Sequence, residues 1–391
     1  MRSAVDSAKI WHDTRGRGGE VGSFSNRVVE ALLFGAALTV ASPAEAQDEM
    51  GPPDVEFEEG FGLIQGIREL SDGRVLVADR AGKLVGFVDF DAGSLRVLGQ
   101  VGRGPDEYDL PSSLVALPND HSMLLDLGNM RLVDIDSEGT FGETYQARRN
   151  TDHSATTVSP RGSDQDGWLY FEPRSPGPGP ETGYVLRWHP ETDLIEEVAS
   201  FQRAPVDRSS RRGPPPPFAL NDTWNVLADG SVVIARALDY GVDWVRDGVS
   251  TSGPVIMYEP VSVTDADTEA FRERFAQTAL AMDVNSDGSV GGAFSPGREM
   301  VDQAYPDKSF PAVKGPFVDG GVQVAPWGEA WVRRSEKAGA PAVYDIFDQN
   351  GERIRQVRLE AESRLIGFGP THIYTVRTDQ FGLEYLRRHS R

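Results

Sequence analysis

Six times along this chain a turn marker leads into a short apolar run that ends on a charged residue. The copies are SDG before RVLVADR (Arg74–Arg80), PND before HSMLLD (His121–Asp126) and QDG before WLYFE (Trp168–Glu172). They continue with ADG before SVVIAR (Ser231–Arg236), PWG before EAWVRR (Glu329–Arg334) and GPT before HIYTVR (His372–Arg377). Asp-Gly suits a tight hairpin turn because glycine accepts the positive φ the turn needs. The runs are apolar on nearly every residue instead of alternating, the pattern of a strand buried on both faces. Such strands belong to a small sheet packed between two others.

Spacing defines the architecture. Gly73, Asp120 and Gly167 lie 47 residues apart; the next intervals are 63 residues to Gly230 and 98 to Gly328. The excess falls in two insertions, an Arg/Pro-rich stretch at Arg203–Pro217 and a segment from Val261 to Pro316. A repeat of roughly 40–50 residues with several strands marks the blades of a propeller. Radial repetition lets each sheet bury both faces against its neighbours. In the first copy, Leu63–Leu70, Lys83–Phe90 and Ser94–Gly99 complete four strands. The last copy has only three, and VEFEE (Val55–Glu59) is placed to supply the fourth and close the ring, hiding exposed edges. The expected fold is all-β: a six-bladed β-propeller over residues 47–391, with a short helical insertion at 261–316 between blades 4 and 5. The 42 Gly and 26 Pro fit many short elements joined by turns.

Residues 1–46 read as a signal peptide. Arg27 precedes the apolar run Ala31–Ala41, and Ala44-Glu45-Ala46 offers a small-residue cleavage site before Gln47. The expected location is periplasmic or secreted. The apolar run is shorter than the roughly 20 residues a bilayer span needs, so no stable membrane insertion is expected. The net charge is −21, and the leader carries five basic and five acidic residues, so its removal leaves that charge intact. A surface this negative repels phosphate backbones, which excludes nucleic acid as a partner. The chain has no cysteine, which removes disulfides, thiolate metal sites and cysteine nucleophiles. Histidines occur singly without metal spacing, and no G-x-S-x-G elbow is present. A monomer is expected.

VGRGPDEYDLP (Val101–Pro111) has the glycines of a phosphate loop but neither a Lys-Ser/Thr pair nor a following helix. It reads as the joint between blades 1 and 2. The joint and the segment after it resemble an NHL-type propeller repeat through Gly102, Gly104, Tyr108, Pro111, Asp126, Asn129, Arg131 and Leu132, ending at DSEG (Asp136–Gly139). Asn119-Asp120 replaces the usual Asp-Gly. With Tyr258–Phe275 and Tyr344–Leu359, the chain is similar to the bacterial exported 6-bladed β-propeller family. That resemblance implies the fold and no single activity.

Two candidate sites stand out. DVNSDGS places Asp283, Asn285, Asp287 and Ser289 at the spacing of the first half of a calcium loop, although Phe294 stands where the bidentate Glu belongs. A helix capped by Thr264 is expected to precede it. The apolar runs end in acids in blades 1–3 (Asp79, Asp126, Glu172) and in arginines in blades 4–6 (Arg236, Arg333, Arg377). On one face these six would form a half-acidic, half-basic rim that orients a polar ligand. The expected function is a ligand-binding or protein-interaction scaffold without catalysis, its partner a small polar ligand or a protein. The alternative is a hydrolase resembling calcium-dependent six-bladed sugar lactonases, with Ca2+ as the cofactor.

Overall fold

On the strand Val75–Asp79, Val75 and Val77 pack toward one neighbouring blade and Leu76 and Ala78 toward the other. This division of successive side chains between two interfaces is why the run is apolar throughout. The structure, a computed structural model, describes residues 47–391 apart from 154, 174–181, 205–215, 279–280, 285–289 and 295.

Six antiparallel sheets follow one another. Blade 1 is Ile64–Glu69, Val75–Asp79, Leu84–Asp89 and Ser94–Val97; blade 2 is Pro111–Ala116, Ser122–Asp126, Arg131–Ile135 and Phe141–Gln146. Blade 3 is Gly162–Ser163, Leu169–Phe171, Thr182–His189 and Leu194–Gln202; blade 4 is Thr223–Val226, Val232–Arg236, Gly241–Arg246 and Val249–Ser252. Blade 5 is Phe317–Ala325, Glu329–Arg334, Val343–Phe347 and Arg353–Arg358, and Gln47–Glu49 adds a parallel strand to its outer edge. Blade 6 is Ser363–Phe368, His372–Thr378 and Glu384–Ser390, completed by Val55–Glu56. The first strand of each blade touches the first strands of its two neighbours, so the six enclose an axis.

Each junction between consecutive blades holds its own apolar cluster. The junction of blades 6 and 1 contains Phe57, Phe61, Val77, Tyr374 and Leu386, which draws on both ends of the chain. Among the described residues, no helix is long and apolar enough to cross a membrane.

The Val101–Pro111 stretch is a joint between sheets. Gln100–Val101 runs parallel to Glu107–Tyr108, and Tyr108 Oη accepts a hydrogen bond from Val85 N of blade 1 (2.9 Å). Glu107 folds beneath the loop and accepts from Gly104 N (2.7 Å). A Cβ on Gly102 would lie 2.0 Å from that carboxylate, so a larger residue there would force Glu107 out of the loop. Asn129 donates to Gly102 O (2.8 Å), and Arg131 donates to the carbonyls of Gly104 (3.0 Å) and Glu107 (2.5 Å).

The insertion between blades 4 and 5 is closed at its base by Val261–Ser262 pairing with Val313–Lys314. It contains helix α1 (Asp265–Thr278), a hairpin of Ala281–Val284 with Val290–Phe294, and helix α2 (Arg298–Ala304). Thr264 caps α1 reciprocally: Asp267 N donates to Thr264 Oγ1 (3.4 Å), and Asp267 Oδ2 accepts from Thr264 N (2.9 Å). Phe271 and Phe275, one turn apart on α1, stack edge-on against Tyr305 at 5.0 and 4.9 Å between ring centres.

Candidate functional site

The innermost strands enclose a channel of about 740 Å3, to whose wall every blade contributes. Each blade sends at least one partly exposed side chain to it, among them Gln65, Ser113, Ser163, Asn225, Gln323 and Ile366, and Arg68, Glu69, Asp120 and Arg161 add charge to its lining. Their neighbours in sequence, such as Leu114, Trp224 and Val322, turn into the junctions between blades. Period-2 geometry therefore turns these six side chains, five of them uncharged hydrogen-bonding groups, toward the axis. Three of these side chains stitch adjacent blades together. Ser163 Oγ donates to Ala116 O, Asn225 Nδ2 to Val322 O (2.9 Å) and Gln323 Nε2 to Leu365 O (3.2 Å). Gln65 and Ser113 make no hydrogen bond to the described residues and are open to a ligand.

Charges sit at the two ends of the channel. Where the first strands finish, Glu69 accepts from Tyr374 Oη (2.8 Å) and faces His372 Nδ1 (3.1 Å), while Asp120 pairs with Arg68 (3.1 Å). Burial, the Glu69 charge and its hydrogen bond together push the Tyr374 hydroxyl well above its ordinary pKa. Where the first strands begin, α1 lies across the mouth. Gln277 O accepts from Arg80 of blade 1 (3.4 Å), and Arg274 reaches a chamber of about 140 Å3 bounded by Arg333 and Tyr344 of blade 5 and Arg364 of blade 6. Arg274 is open to water yet walled by protein; burial and then the charges of Arg333 and Arg364 lower its pKa. Arginine stays protonated through such a shift.

The six expected rim residues do not assemble into a rim. Asp79 is 3% exposed and accepts from Gly62 N, Leu63 N and Gly82 N. Asp126 is fully buried and holds Asn129 and Arg131 in the joint described above. Glu172 pairs with Arg161 (3.1 Å) and Arg203, Arg236 with Asp243, and Arg377 with Glu56 (2.6 Å). Asp79 is satisfied by backbone N–H groups and the other four by ion pairs, because an unpaired charge so near the core is costly. Of the six, Arg333 lines the smaller of the two cavities described above, and the other five line neither. Of the expected calcium ligands, Asn285, Asp287 and Ser289 lie outside the described residues, and Asp283 lies on the hairpin strand Ala281–Val284. Among the described residues, no group of three or more His, Asp or Glu side chains could hold a metal ion.

Arg274 and Arg364, which share the chamber with Arg333, carry no local signal. One lies on a helix far away in sequence, and the other is the second residue of a first strand. Knowing that first strands begin at the mouth would have marked Arg364 alone.

No family model and no curated protein matches the chain. Solved structures similar to it include a gluconolactonase from Xanthomonas campestris, at 10% identity over 88% of this chain and 97% of that one, with a TM-score of 0.44. Regucalcin, a calcium-binding protein from Agrobacterium tumefaciens, matches at 12% identity over 88% and 97%, with a TM-score of 0.40. Virginiamycin B lyase from Staphylococcus aureus matches at 11% identity over 86% and 97%, with a TM-score of 0.41. The assignment of a six-bladed propeller stands on the strand pairing itself.

Proposed function

We propose that this chain is an exported binding protein that holds a small polar ligand in its axial channel, with the insertion as a cap over one mouth. The observation that carries the reading is the channel: about 740 Å3, to whose mixed wall five blades each contribute an uncharged hydrogen-bonding side chain, two of them without side-chain partners among the described residues. Its volume lies within the range of small-molecule sites, roughly 300–1,000 Å3. Amides and hydroxyls fix the orientation of a polar ligand without performing proton transfer. The lactonase alternative asks for axial carboxylates around a cation. The two carboxylates that line the channel, Glu69 and Asp120, are committed to His372, Tyr374 and Arg68.

Thermal melts against a panel of neutral sugars and amino acids test the binding reading. A true ligand at a hundredfold excess over its Kd should add about 2.7 kcal/mol of stability. Ser113→Trp, which fills the channel without breaking a hydrogen bond, should abolish that gain. A panel without a stabilising compound, or one whose hits stabilise Ser113→Trp equally, would count against a channel ligand. N-terminal sequencing of protein from its own source should begin at Gln47; a chain that retains its first residues would overturn export.

A further inference from the structure

We propose that His389 is a pH-sensitive latch: while neutral it holds the strap of residues 47–54 across blades 5 and 6, and on protonation it lets the strap go. The strap leaves the outer edge of blade 5 and runs into the closing strand of blade 6. At its start it pairs with Arg353–Arg358, and Met50 N donates to Arg358 O (2.8 Å). At its end Asp54 N donates to Arg388 O (2.9 Å), and Asp54 Oδ2 accepts from Ser390 Oγ (2.7 Å). Between these anchors the Gly51 carbonyl lies 3.1 Å from His389 Nδ1.

The partners fix the tautomer. A carbonyl oxygen only accepts, so Nδ1 carries the proton and Nε2 accepts from Thr375 Oγ1 (2.9 Å). Both nitrogens are thus satisfied in the neutral ring, which is 5% exposed. A second proton has to go on Nε2. The Thr375 hydroxyl must then turn its own hydrogen away, and it is buried with no other partner among the described residues. Two charges act on the ring. Arg387, on the same strand, disfavours the cation, although Glu56 and Glu360 pair with it; Asp54, on the strap, favours the cation from an exposed position. The neighbouring strand brings the uncharged Thr375, and Arg358 of blade 5 is engaged by Gln47 and Glu49 of the strap. Burial pushes the His389 pKa below the usual 6.5, with Arg387 adding to the shift and the Gly51 carbonyl and Asp54 opposing it. Off the strap, the ring is wet and recovers its ordinary value. Since the docked value is the lower one, docking is complete above pH ~6.5 and weakens by up to about tenfold per unit as pH falls below it, until the docked ring itself protonates. Ser390 holds the Asp54 carboxyl below its ordinary pKa, so Asp54 keeps its charge through this window. Release uncovers the backbone edge of Arg353–Arg358, which is then free to pair with another strand.

Hydrogen exchange of the whole chain at pH 7.5 and 5.0, corrected for the intrinsic pH dependence of exchange, tests this. Amides of the strap should exchange about tenfold faster or more at pH 5.0, while His372–Thr378 keeps its protection. His389→Gln can still donate to Gly51 O and accept from Thr375 but does not titrate, so its strap should be equally protected at both pH values. An NMR titration of the parent's imidazoles covers the case of a variant that folds poorly: His389 should be protonated at Nδ1 alone at pH 7.5 and should titrate together with the loss of strap protection. A strap that stays equally protected at pH 5.0, the same loss in His389→Gln, or a ring protonated at Nε2 alone at pH 7.5 would overturn the proposal.

Discussion

Replacing Asp267 with alanine should destabilise the insertion by about 3–5 kcal/mol, the usual cost of removing one partner of a buried ion pair. Its side chain is fully buried and pairs with Lys314 Nζ at 2.6 Å. It also accepts from Thr264 N (2.9 Å), Thr264 Oγ1 (2.7 Å) and Ala338 N (2.7 Å). One carboxylate thus ties the start of α1 to the base of the insertion and to the loop after the second strand of blade 5. Without it the Lys314 ammonium, which is also bonded to Glu336 O (2.6 Å), is left buried without a counter-charge. Hydrogen exchange should show lost protection across residues 261–316 while the blades keep theirs. The double variant Asp267→Leu with Lys314→Met should recover much of the loss, because no charge remains to be desolvated. Unchanged exchange in the alanine variant would show that the clip is not what holds the cap. The same site carries a pH signature. Burial alone would raise the Asp267 pKa, but the hydrogen bonds from Lys314, Thr264 and Ala338 outweigh it and hold it at about 2. Since the folded value lies below the unfolded one, near 3.9, the contribution is complete above pH ~4 and is lost as pH falls toward 2. It amounts to roughly 2 kcal/mol.

Closure of the ring should be as sensitive. Phe57 and Phe61 are 2% and 3% exposed, and Phe57 meets Phe90 edge-on at 6.0 Å. Truncation of either to alanine should cost about 3–5 kcal/mol by urea unfolding, the range for deleting a buried aromatic side chain. The losses will not add, because the two rings stack at 6.2 Å. Backbone bonds accompany the rings: Phe57 N donates to Leu386 O, and Phe61 and Glu384 exchange a pair, all at 2.8 Å. A chain that begins at residue 63 should therefore lose its cooperative melt. A chain that begins at residue 52 should melt much closer to the parent, since it loses the outer strand Gln47–Glu49 and the edge contacts of Met50 and Gly51 but keeps the closing segment. Its defect should be self-association through the uncovered edge of Arg353–Arg358. Equal melting of both truncations would remove the closing segment from the list of stabilising elements.

Much of the ring was legible because its turns are chemically constrained. Gly73, Gly167, Gly230 and Gly328 all adopt φ between 80° and 90°. In blade 2, Asn119 and Asp120 take φ of 58° and 59°, so two residues tolerant of the left-handed region do the work of Asp-Gly. The closing strand was found but overextended. Regular pairing covers Val55–Glu56 rather than Val55–Glu59, because Phe57 already turns into the junction of blades 6 and 1. The edge strand Gln47–Glu49 was not foreseen, since three polar residues joined by no hairpin carry no periodic signal. The site was least legible. Strand ends such as Asp79 and Arg377 advertise charge, but whether a charge faces a ligand or a partner is settled by residues remote in sequence, here Gly62 and Glu56. Arg333 lines the small chamber, and its companions there came from elements that no pattern connects.

The bond from Ile64 N to Glu384 spans 320 residues. On a ribosome adding about 5–20 residues per second, roughly 15–60 s pass between the emergence of these two partners. Through that interval Phe57, Phe61 and Val77 wait for Tyr374 and Leu386, the residues that later cover them. Any factor that meets the nascent chain meets an open arc of blades with one sticky end, and only release of the finished polypeptide turns the arc into a wheel.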